Sequence, residues 1–70
     1  MIENELDIAL TSKEKEIILL IAEGLKTPVI AARLGLTGET VMWYRKRILD
    51  KFQAATSAEV VRKAIELKLI

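Results

Sequence analysis

The sequence predicts an all-α fold of four helices. Three observations favour it: threonines stand at the starts of apolar, helix-spaced segments, glycines stand where two of those segments end, and no run of alternating polar and apolar residues indicates a strand. A chain of 70 residues is long enough for one domain, and because it contains no cysteine its core cannot depend on disulfides.

The first helix is predicted to follow Thr11, because Glu14 three residues later completes a capping box. Gly24 stands where a residue in the left-handed conformation would end the helix. The buried stripe between these limits is predicted to contain Ile17, Leu20 and Ile21.

The second helix is predicted to begin at Thr27 and Pro28, because proline is favoured at the first helical position. Gly35 is expected to close it in the left-handed conformation. Its predicted buried positions are Ile30, Ala31 and Leu34. Thr37 then caps a third helix, which is predicted over residues 37–53.

The second and third helices carry the spacing of a helix-turn-helix motif. Counting from Thr27, a small residue is fifth (Ala31), a glycine is ninth (Gly35) and a β-branched residue is fifteenth (Val41). The small residue lets the two helix axes approach closely, the glycine adopts a positive φ, and the branched residue packs the third helix against the second. The three positions together predict a helix-turn-helix unit.

The third helix contains all three aromatic residues of the chain, and its helical wheel separates them. At about 100° per residue, Tyr44, Ile48 and Phe52 lie within about 60° of Val41. These four residues are predicted to be buried, and we call them the buried seam of the third helix. The residues opposite this seam or at its margins are Met42, Trp43, Lys46, Arg47 and Asp50. We therefore expect Trp43 to face solvent or a partner; the alternative is that its ring folds back over a neighbouring helix.

The fourth helix is predicted to begin at Thr56, which forms a capping box with Glu59. Its apolar residues span about 200° of the wheel, which is more than one core face requires. One side contains Ala58, Val61, Ile65 and Leu69, and the adjoining side contains Val60, Ala64 and Leu67. We expect Val60, Ala64 and Leu67 to form a two-fold interface between two copies. The alternative is that the extra side packs on the first helix.

Charge is distributed unevenly along the chain, although the net charge is only +1. Residues 1–23 carry six acidic and two basic side chains, whereas residues 24–51 carry six basic and two acidic ones. A basic middle segment favours an anionic partner such as nucleic acid. The alternative is that the acidic segment neutralises the basic one within the monomer.

The composition disfavours several classes of function. The chain contains neither histidine nor cysteine, so it lacks the usual general base and the best side-chain nucleophile, and an enzyme is not expected. A zinc site would need carboxylates alone, and no cofactor or metal is expected. The N-terminus, MIENELDIAL, is acidic rather than basic, and the uncharged stretches are far shorter than about 18 residues. We therefore expect a cytoplasmic protein with no membrane partner.

The stretch LTSKEKEIILLIAEGLKTPVIAARLGLTGETVMWYRKRILDKF, followed by AEVVRKAIELKLI, resembles the LuxR-type (GerE-like, NarL/FixJ-type) DNA-binding domain. The resemblance covers residues 10–70, and its most specific matches are Leu10-Thr11, Glu14, Glu16, Glu23-Gly24, Ile30-Ala31, Leu34, Thr40-Val41, Ile48 and Lys51. It implies a four-helix module of a bacterial transcriptional regulator, a class that includes response regulators. Its third helix would enter the major groove of double-stranded DNA, and its fourth helix would pair two copies. Residues 1–9 would be an N-terminal tail or the remnant of a linker.

The same resemblance implies which residues contact DNA. The base-contacting positions would be Met42, Trp43 and Lys46. The phosphate-contacting positions would be Thr27, Thr37, Thr40, Arg45, Arg47 and Lys51. The chemistry agrees, because Lys46 can donate to guanine O6 or N7, while Met42 and Trp43 can contact a thymine methyl group.

Two other functions would use the same features. A domain like region four of sigma factors shares this type of helix-turn-helix and would contact RNA polymerase as well as promoter DNA. A helical protein–protein interaction module would bind its partner through Trp43 and the fourth helix and would ignore DNA. The predicted exposed row of Lys46 and Arg47 favours DNA, and RNA polymerase is a further candidate partner.

Overall fold

The computed structural model describes residues 8–70, which contain four α-helices and no strand within that range. The helices are α1 (Ser12–Ala22), α2 (Thr27–Leu34), α3 (Gly38–Phe52) and α4 (Ser57–Glu66). α1 contacts the other three helices, and α2 packs chiefly against α3. The predicted all-α fold of four helices is confirmed. None of the four combines the length and the hydropathy that crossing a bilayer would require.

Two predicted helix starts have the expected hydrogen bonds. The Thr11 hydroxyl accepts from the Glu14 N–H at 3.1 Å, and the Glu14 carboxylate accepts from the Thr11 N–H at 2.9 Å, which completes the capping box. At α3 the Thr37 hydroxyl accepts from the Thr40 N–H at 3.1 Å. Each cap satisfies an N–H group that lacks a partner in the first turn and contributes about 1 kcal/mol.

The other two starts differ in detail from the prediction. Lys26 rather than Thr27 is the N-cap of α2, and no side chain caps that helix. At α4 the Thr56 hydroxyl accepts from the Glu59 N–H at 3.2 Å as predicted. The Glu59 carboxylate, however, accepts from the Ala55 N–H at 2.9 Å instead of closing the box on Thr56.

Left-handed residues follow the first three helices. Gly24 (φ +87°) and Gly35 (φ +68°) have this conformation, as predicted. The residue after α3 is Gln53, whose φ is +51° although it carries a side chain. The next N–H, that of Ala54, donates to the Leu49 carbonyl at 3.0 Å and fixes this turn. A β-carbon in the left-handed conformation costs about 1–2 kcal/mol, so Gln53 is a strained position.

Ten hydrophobic residues form one core: Ile17, Ile18, Leu20, Ile30, Ala31, Val41, Ile48, Phe52, Val60 and Ala64. Ala31 and Val41 are buried as the helix-turn-helix spacing predicts. Ile18 was outside the predicted stripe of α1 but is fully buried, because a helix that contacts three others buries more than one stripe.

Residues that precede residue 10, the predicted start of the domain, also contact the rest of the domain. Ile8 packs against the core, and the Ala9 carbonyl accepts a hydrogen bond from Lys51 at 2.9 Å. The rest of the predicted tail, residues 1–7, lies outside the described residues.

The predicted dimer face of α4 has the wrong orientation. Val60 and Ala64 are 1% and 0% exposed in a single chain, because α4 packs this side against α1 and α3. Leu67 lies beyond the last residue of α4 and is half-buried. The apolar side that points outward is the adjoining one, where Ile65 is 58% exposed. Two core side chains cannot supply a surface for a second copy.

Glu14 is a charged residue within the core, with only 1% of its surface exposed. Its Oε1 accepts hydrogen bonds from the Lys51 ammonium at 2.6 Å and from the Thr11 N–H at 2.9 Å, and its Oε2 lies 3.7 Å from Arg47 Nε. Burial by itself raises the pKa of Glu14, but the hydrogen bonds from Lys51 and Thr11 outweigh it and hold the pKa below its ordinary value. The ionised carboxylate therefore ties α1 to the C-terminal half of α3.

Gln53→Gly should raise the free energy of unfolding by about 0.5–1 kcal/mol. Relief of the left-handed strain exceeds the extra conformational entropy that glycine loses on folding. Asp50→Gly is the matched control, because Asp50 is an exposed helical residue of α3, and it should lower the free energy of unfolding by about 0.3 kcal/mol, the difference in helix propensity between aspartate and glycine. Thermal unfolding followed by circular dichroism measures both. A Gln53→Gly protein that is no more stable than the original would contradict the strain assigned here.

Glu14→Gln should lower the free energy of unfolding by about 1–3 kcal/mol at pH 7, because Lys51 and Arg47 lose their buried anion. The original protein should also lose stability as the pH falls below about 4.5, the ordinary pKa of this carboxyl group. The unfolded chain binds that proton at a higher pH than the folded chain, so this contribution is complete above the unfolded pKa and disappears as the pH passes through the lower folded pKa.

Urea unfolding between pH 3 and pH 7 measures this effect, with Glu16→Gln as the control. Glu16 is an exposed residue that pairs with Lys13 at 3.6 Å, and its substitution should change the free energy of unfolding by less than about 0.5 kcal/mol. The Glu14→Gln protein should have a shallower pH dependence than the original. Identical pH profiles for the Glu14→Gln protein and the original would show that ionisation of Glu14 does not contribute to the free energy of unfolding.

Candidate nucleic-acid interface

One side of α3 fixes the helix to the rest of the domain. Val41, Ile48 and Phe52 are buried in the core, and Tyr44 is half-buried against it. Their spacing of three or four residues places them on one face of the helix. The predicted buried seam of α3 is therefore present, and it determines which residues of this helix point away from the bundle.

The opposite side of α3 is open. Met42 and Trp43 are 55% and 54% exposed, and Lys46 is also exposed. The structure thus brings together the three residues that were predicted to contact bases, on one outward surface. We call Met42, Trp43 and Lys46 the outward surface of α3. The prediction that the Trp43 ring faces away from the core is confirmed, whereas its contact with DNA stays a prediction.

The Trp43 ring has neighbours on two sides although it is largely exposed. The Tyr44 ring lies 5.0 Å from it between centroids, at an interplanar angle of 78°, in an edge-to-face arrangement. The Arg47 guanidinium lies 5.0 Å from the centroid of the indole ring, within the range of a cation–π contact. Because Arg47 is also 3.7 Å from the buried Glu14, the indole is held in a defined orientation. The carboxylate that Arg47 approaches therefore belongs to α1.

The N-terminal ends of α2 and α3 lie beside this surface. The Thr27 hydroxyl is 3.8 Å from the Met42 sulfur, a weak hydrogen bond that brings the first turn of α2 next to the first turns of α3. The Thr37 and Thr40 hydroxyls are 3.0 Å apart at the start of α3. The predicted phosphate-contacting threonines therefore border the predicted base-contacting residues.

The basic residues of α3 differ in what they contact. Arg45 is half-buried and donates to the Ser57 hydroxyl at 2.6 Å, which links α3 to the start of α4. Lys51 donates to Glu14 and to the Ala9 carbonyl, so its ammonium is occupied inside the domain. In this arrangement the Lys51 ammonium is not free for a phosphate, and its predicted contact with DNA stays a prediction. Among residues 8–70, Lys46 forms no ion pair or side-chain hydrogen bond and remains available.

The sequence did not reveal that Glu14 joins α1 to α3. The capping box identified its contact with Thr11, which is local in sequence. Its contact with Lys51 joins residues 37 positions apart, and no helical periodicity can indicate it. Among residues 8–70, no cluster of three or more aspartates, glutamates, histidines or cysteines has the geometry to hold a metal ion.

Comparison with known proteins identifies similar sequences. The sequence pattern of the family described as bacterial regulatory proteins, luxR family, matches residues 8–64. The transcriptional activator protein ExaE of Pseudomonas putida is 38% identical over 61 residues, which cover 87% of this chain and 28% of ExaE. The tetrathionate response regulatory protein TtrR of Salmonella typhimurium is 37% identical over 54 residues, which cover 77% of this chain and 26% of TtrR. The transcriptional regulatory protein FixJ of Azorhizobium caulinodans is 34% identical over 56 residues, which cover 80% and 26%. The chain spans roughly a quarter of the length of these relatives.

Proposed function

The chain belongs to the luxR family of bacterial regulatory proteins, and on that premise we propose that it binds double-stranded DNA sequence-specifically, with α3 in the major groove. One observation carries the proposal. α3 is anchored by its buried seam while Met42, Trp43 and Lys46 project from the opposite side. The module would serve a transcriptional regulator, which is what the names of ExaE and FixJ say of those proteins.

The outward surface of α3 supplies the contacts to bases. The major groove, about 12 Å wide, admits one α-helix, and its base edges carry acceptors on guanine and a methyl group on thymine. The Lys46 ammonium has no internal partner among the described residues and can donate to guanine O6 or N7. Met42 and Trp43 supply apolar surface beside it.

Phosphate contacts would come from the residues that border this surface. The first turn of α2 has no side-chain cap, so the Thr27 N–H is free to bind an anion at the positive end of the helix dipole. Thr37 and Thr40 lie at the start of α3, and Arg45 and Arg47 add positive charge along it. Lys51 is left out of this set, because Glu14 and the Ala9 carbonyl hold its ammonium.

Two copies would bind adjacent half-sites through the outward side of α4, in place of the buried face that the sequence predicted. This side presents Ala58 and Ile65, both exposed, beside an ion pair between Arg62 and Glu66 at 3.3 Å. A small apolar surface of this kind supports a weak dimer that forms on DNA. The half-sites would lie about 10 base pairs apart on one side of the duplex.

Lys46→Ala should weaken duplex binding and flatten its dependence on salt. Although Lys46 is assigned to a base, its charge would lie in the groove between two rows of phosphates and displace condensed counterions. The slope of log K against log salt should therefore fall by at most about 0.9, the contribution of one neutralised phosphate. Lys51→Ala is the matched control on the same helix. It should leave the slope unchanged and lower the free energy of unfolding instead, because Lys51 pairs with Glu14. Fluorescence anisotropy of a labelled duplex, measured from about 50 to 200 mM salt, gives both slopes.

Two outcomes would contradict these assignments. If the affinity of the original protein for duplex DNA does not depend on salt, phosphate binding is excluded. If Lys51→Ala flattens the slope as much as Lys46→Ala does, then Lys51 leaves Glu14 in the complex and the role assigned to it is wrong.

Ile65→Glu should abolish paired occupancy of two half-sites while leaving the monomer folded, since the side chain is exposed. Its effect on the free energy of unfolding should be within about 0.5 kcal/mol. Leu19→Glu places the same charge at an exposed leucine of α1 and should leave paired occupancy intact. Nuclease footprinting on a two-site duplex measures occupancy, and an unchanged footprint for Ile65→Glu would remove this side of α4 as the interface.

A further inference from the structure

Two of the three residues on the outward surface of α3 are apolar, although this surface would contact base edges. Met42 and Trp43 occupy neighbouring positions in the second turn of the helix, and more than half of each is exposed. A methionine thioether has no hydrogen-bond donor, and an indole has one N–H. Between them, these two side chains offer a large apolar area and almost no capacity to read hydrogen-bonding groups.

The two side chains are also restrained in position. The Met42 sulfur is 3.8 Å from the Thr27 hydroxyl. The Tyr44 ring and the Arg47 guanidinium each lie 5.0 Å from the Trp43 ring. Neither side chain is folded back into the core, although both are hydrophobic. Restraint of this kind lowers the entropy lost on binding, which is the requirement for an apolar recognition surface.

The charges around this apolar surface indicate what it contacts. Lys46 follows it by one turn, and Arg47, half of whose side chain is exposed, lies against Trp43. A partner that fits must place a small apolar group at the centre and negative charge at the edges. The major groove of DNA has this arrangement wherever a pyrimidine carries a methyl group at C5, because phosphates line both rims.

We propose that Met42 and Trp43 bind the C5-methyl groups of pyrimidines, so that the domain recognises thymine and 5-methylcytosine in preference to unmodified cytosine. This inference rests on the proposed function and names the chemical group that its base-reading surface requires. Thymine and 5-methylcytosine present the same methyl group at the same place in the groove, whereas unmodified cytosine presents hydrogen there. A consequence is that methylation of cytosine within a binding site would raise the affinity of this domain.

The expected size of the effect follows from the burial of one methyl group. Each methyl removed from a contacted position should weaken binding about fourfold, the ratio that corresponds to about 0.8 kcal/mol per buried CH₂ group. Two contacted methyl groups would give about sixteenfold if they act independently. Effects of this size are well within the resolution of a titration of labelled DNA.

The test uses the full chain and a duplex that it selects from a random pool. In one series, each thymine is replaced in turn by deoxyuridine, which removes only the C5-methyl group. In a second series, a contacted thymine·adenine pair is replaced by cytosine·guanine, with and without a methyl group at C5 of the cytosine. We expect about fourfold weaker binding for deoxyuridine at one or more positions, and about fourfold tighter binding for the methylated cytosine than for the unmethylated one.

Variants separate direct contact from an effect of the methyl group on DNA shape. In Met42→Ala and Trp43→Ala proteins, the ratio between thymine and deoxyuridine duplexes should fall towards one at the positions that each residue contacts. In Lys46→Ala the overall affinity should fall but the ratio should remain. Both apolar residues are exposed, so their variants should fold, and circular dichroism checks this. If all variants keep the full ratio, the methyl group acts through the DNA and the inference is overturned.

The remaining outcomes are also decisive. If the original protein binds thymine and deoxyuridine duplexes equally at every position, methyl recognition is wrong while salt-dependent DNA binding stands. If no duplex is retained from the pool and none is bound at low salt, the proposed function and this inference fail together. Preference for deoxyuridine over thymine would show that the methyl group obstructs binding, and the inference would be overturned.

Discussion

The ion pair between Glu14 and Lys51 is the interaction on which the arrangement of this domain depends. It joins the first turn of α1 to the last turn of α3 at 2.6 Å, and the same carboxylate caps α1 and approaches Arg47. A buried charge is tolerated only when its hydrogen bonds are complete, so these partners are fixed relative to one another. Together with the buried seam of Val41, Ile48 and Phe52, the pair sets the rotation of α3 about its own axis. That rotation decides which side chains reach the exterior.

α3 divides its residues between contacts inside the domain and an exposed surface more completely than its charge pattern suggests. Arg45 and Lys51 are basic, but they donate to Ser57 and to Glu14 and so help to hold α3 against α4 and α1. Arg47 lies between the buried carboxylate and the Trp43 ring and therefore connects the interior to the exposed surface. The count of basic residues in the middle of the chain overstates the charge that is free for a partner, because part of it is neutralised within the domain.

Much of the fold was predictable because its signals are local. Thr11 with Glu14, Thr37 with Thr40, and the glycines at 24 and 35 each define a helix end within four residues, and all four were correct. The outward position of Trp43 and Lys46 followed from one helical wheel, since Val41, Tyr44, Ile48 and Phe52 fall together on its opposite side. The family resemblance, which the comparisons confirm, rested in part on the same positions, among them Thr11, Glu14 and Gly24.

The errors arose where the outcome depends on distant residues. On α4 two adjoining apolar sides compete, and periodicity cannot say which of them meets α1 and α3, so Val60 and Ala64 were assigned to the wrong face. The internal partner of Lys51 was not foreseen, because Glu14 is 37 residues away in the sequence. Because Trp43 is the only tryptophan of the chain and is exposed, the protein's intrinsic ultraviolet emission reports on the outer face of α3 rather than on the core. Spectral changes during denaturation would describe the surroundings of Arg47 and Tyr44, whereas quenching on addition of a partner would locate the partner without any attached dye.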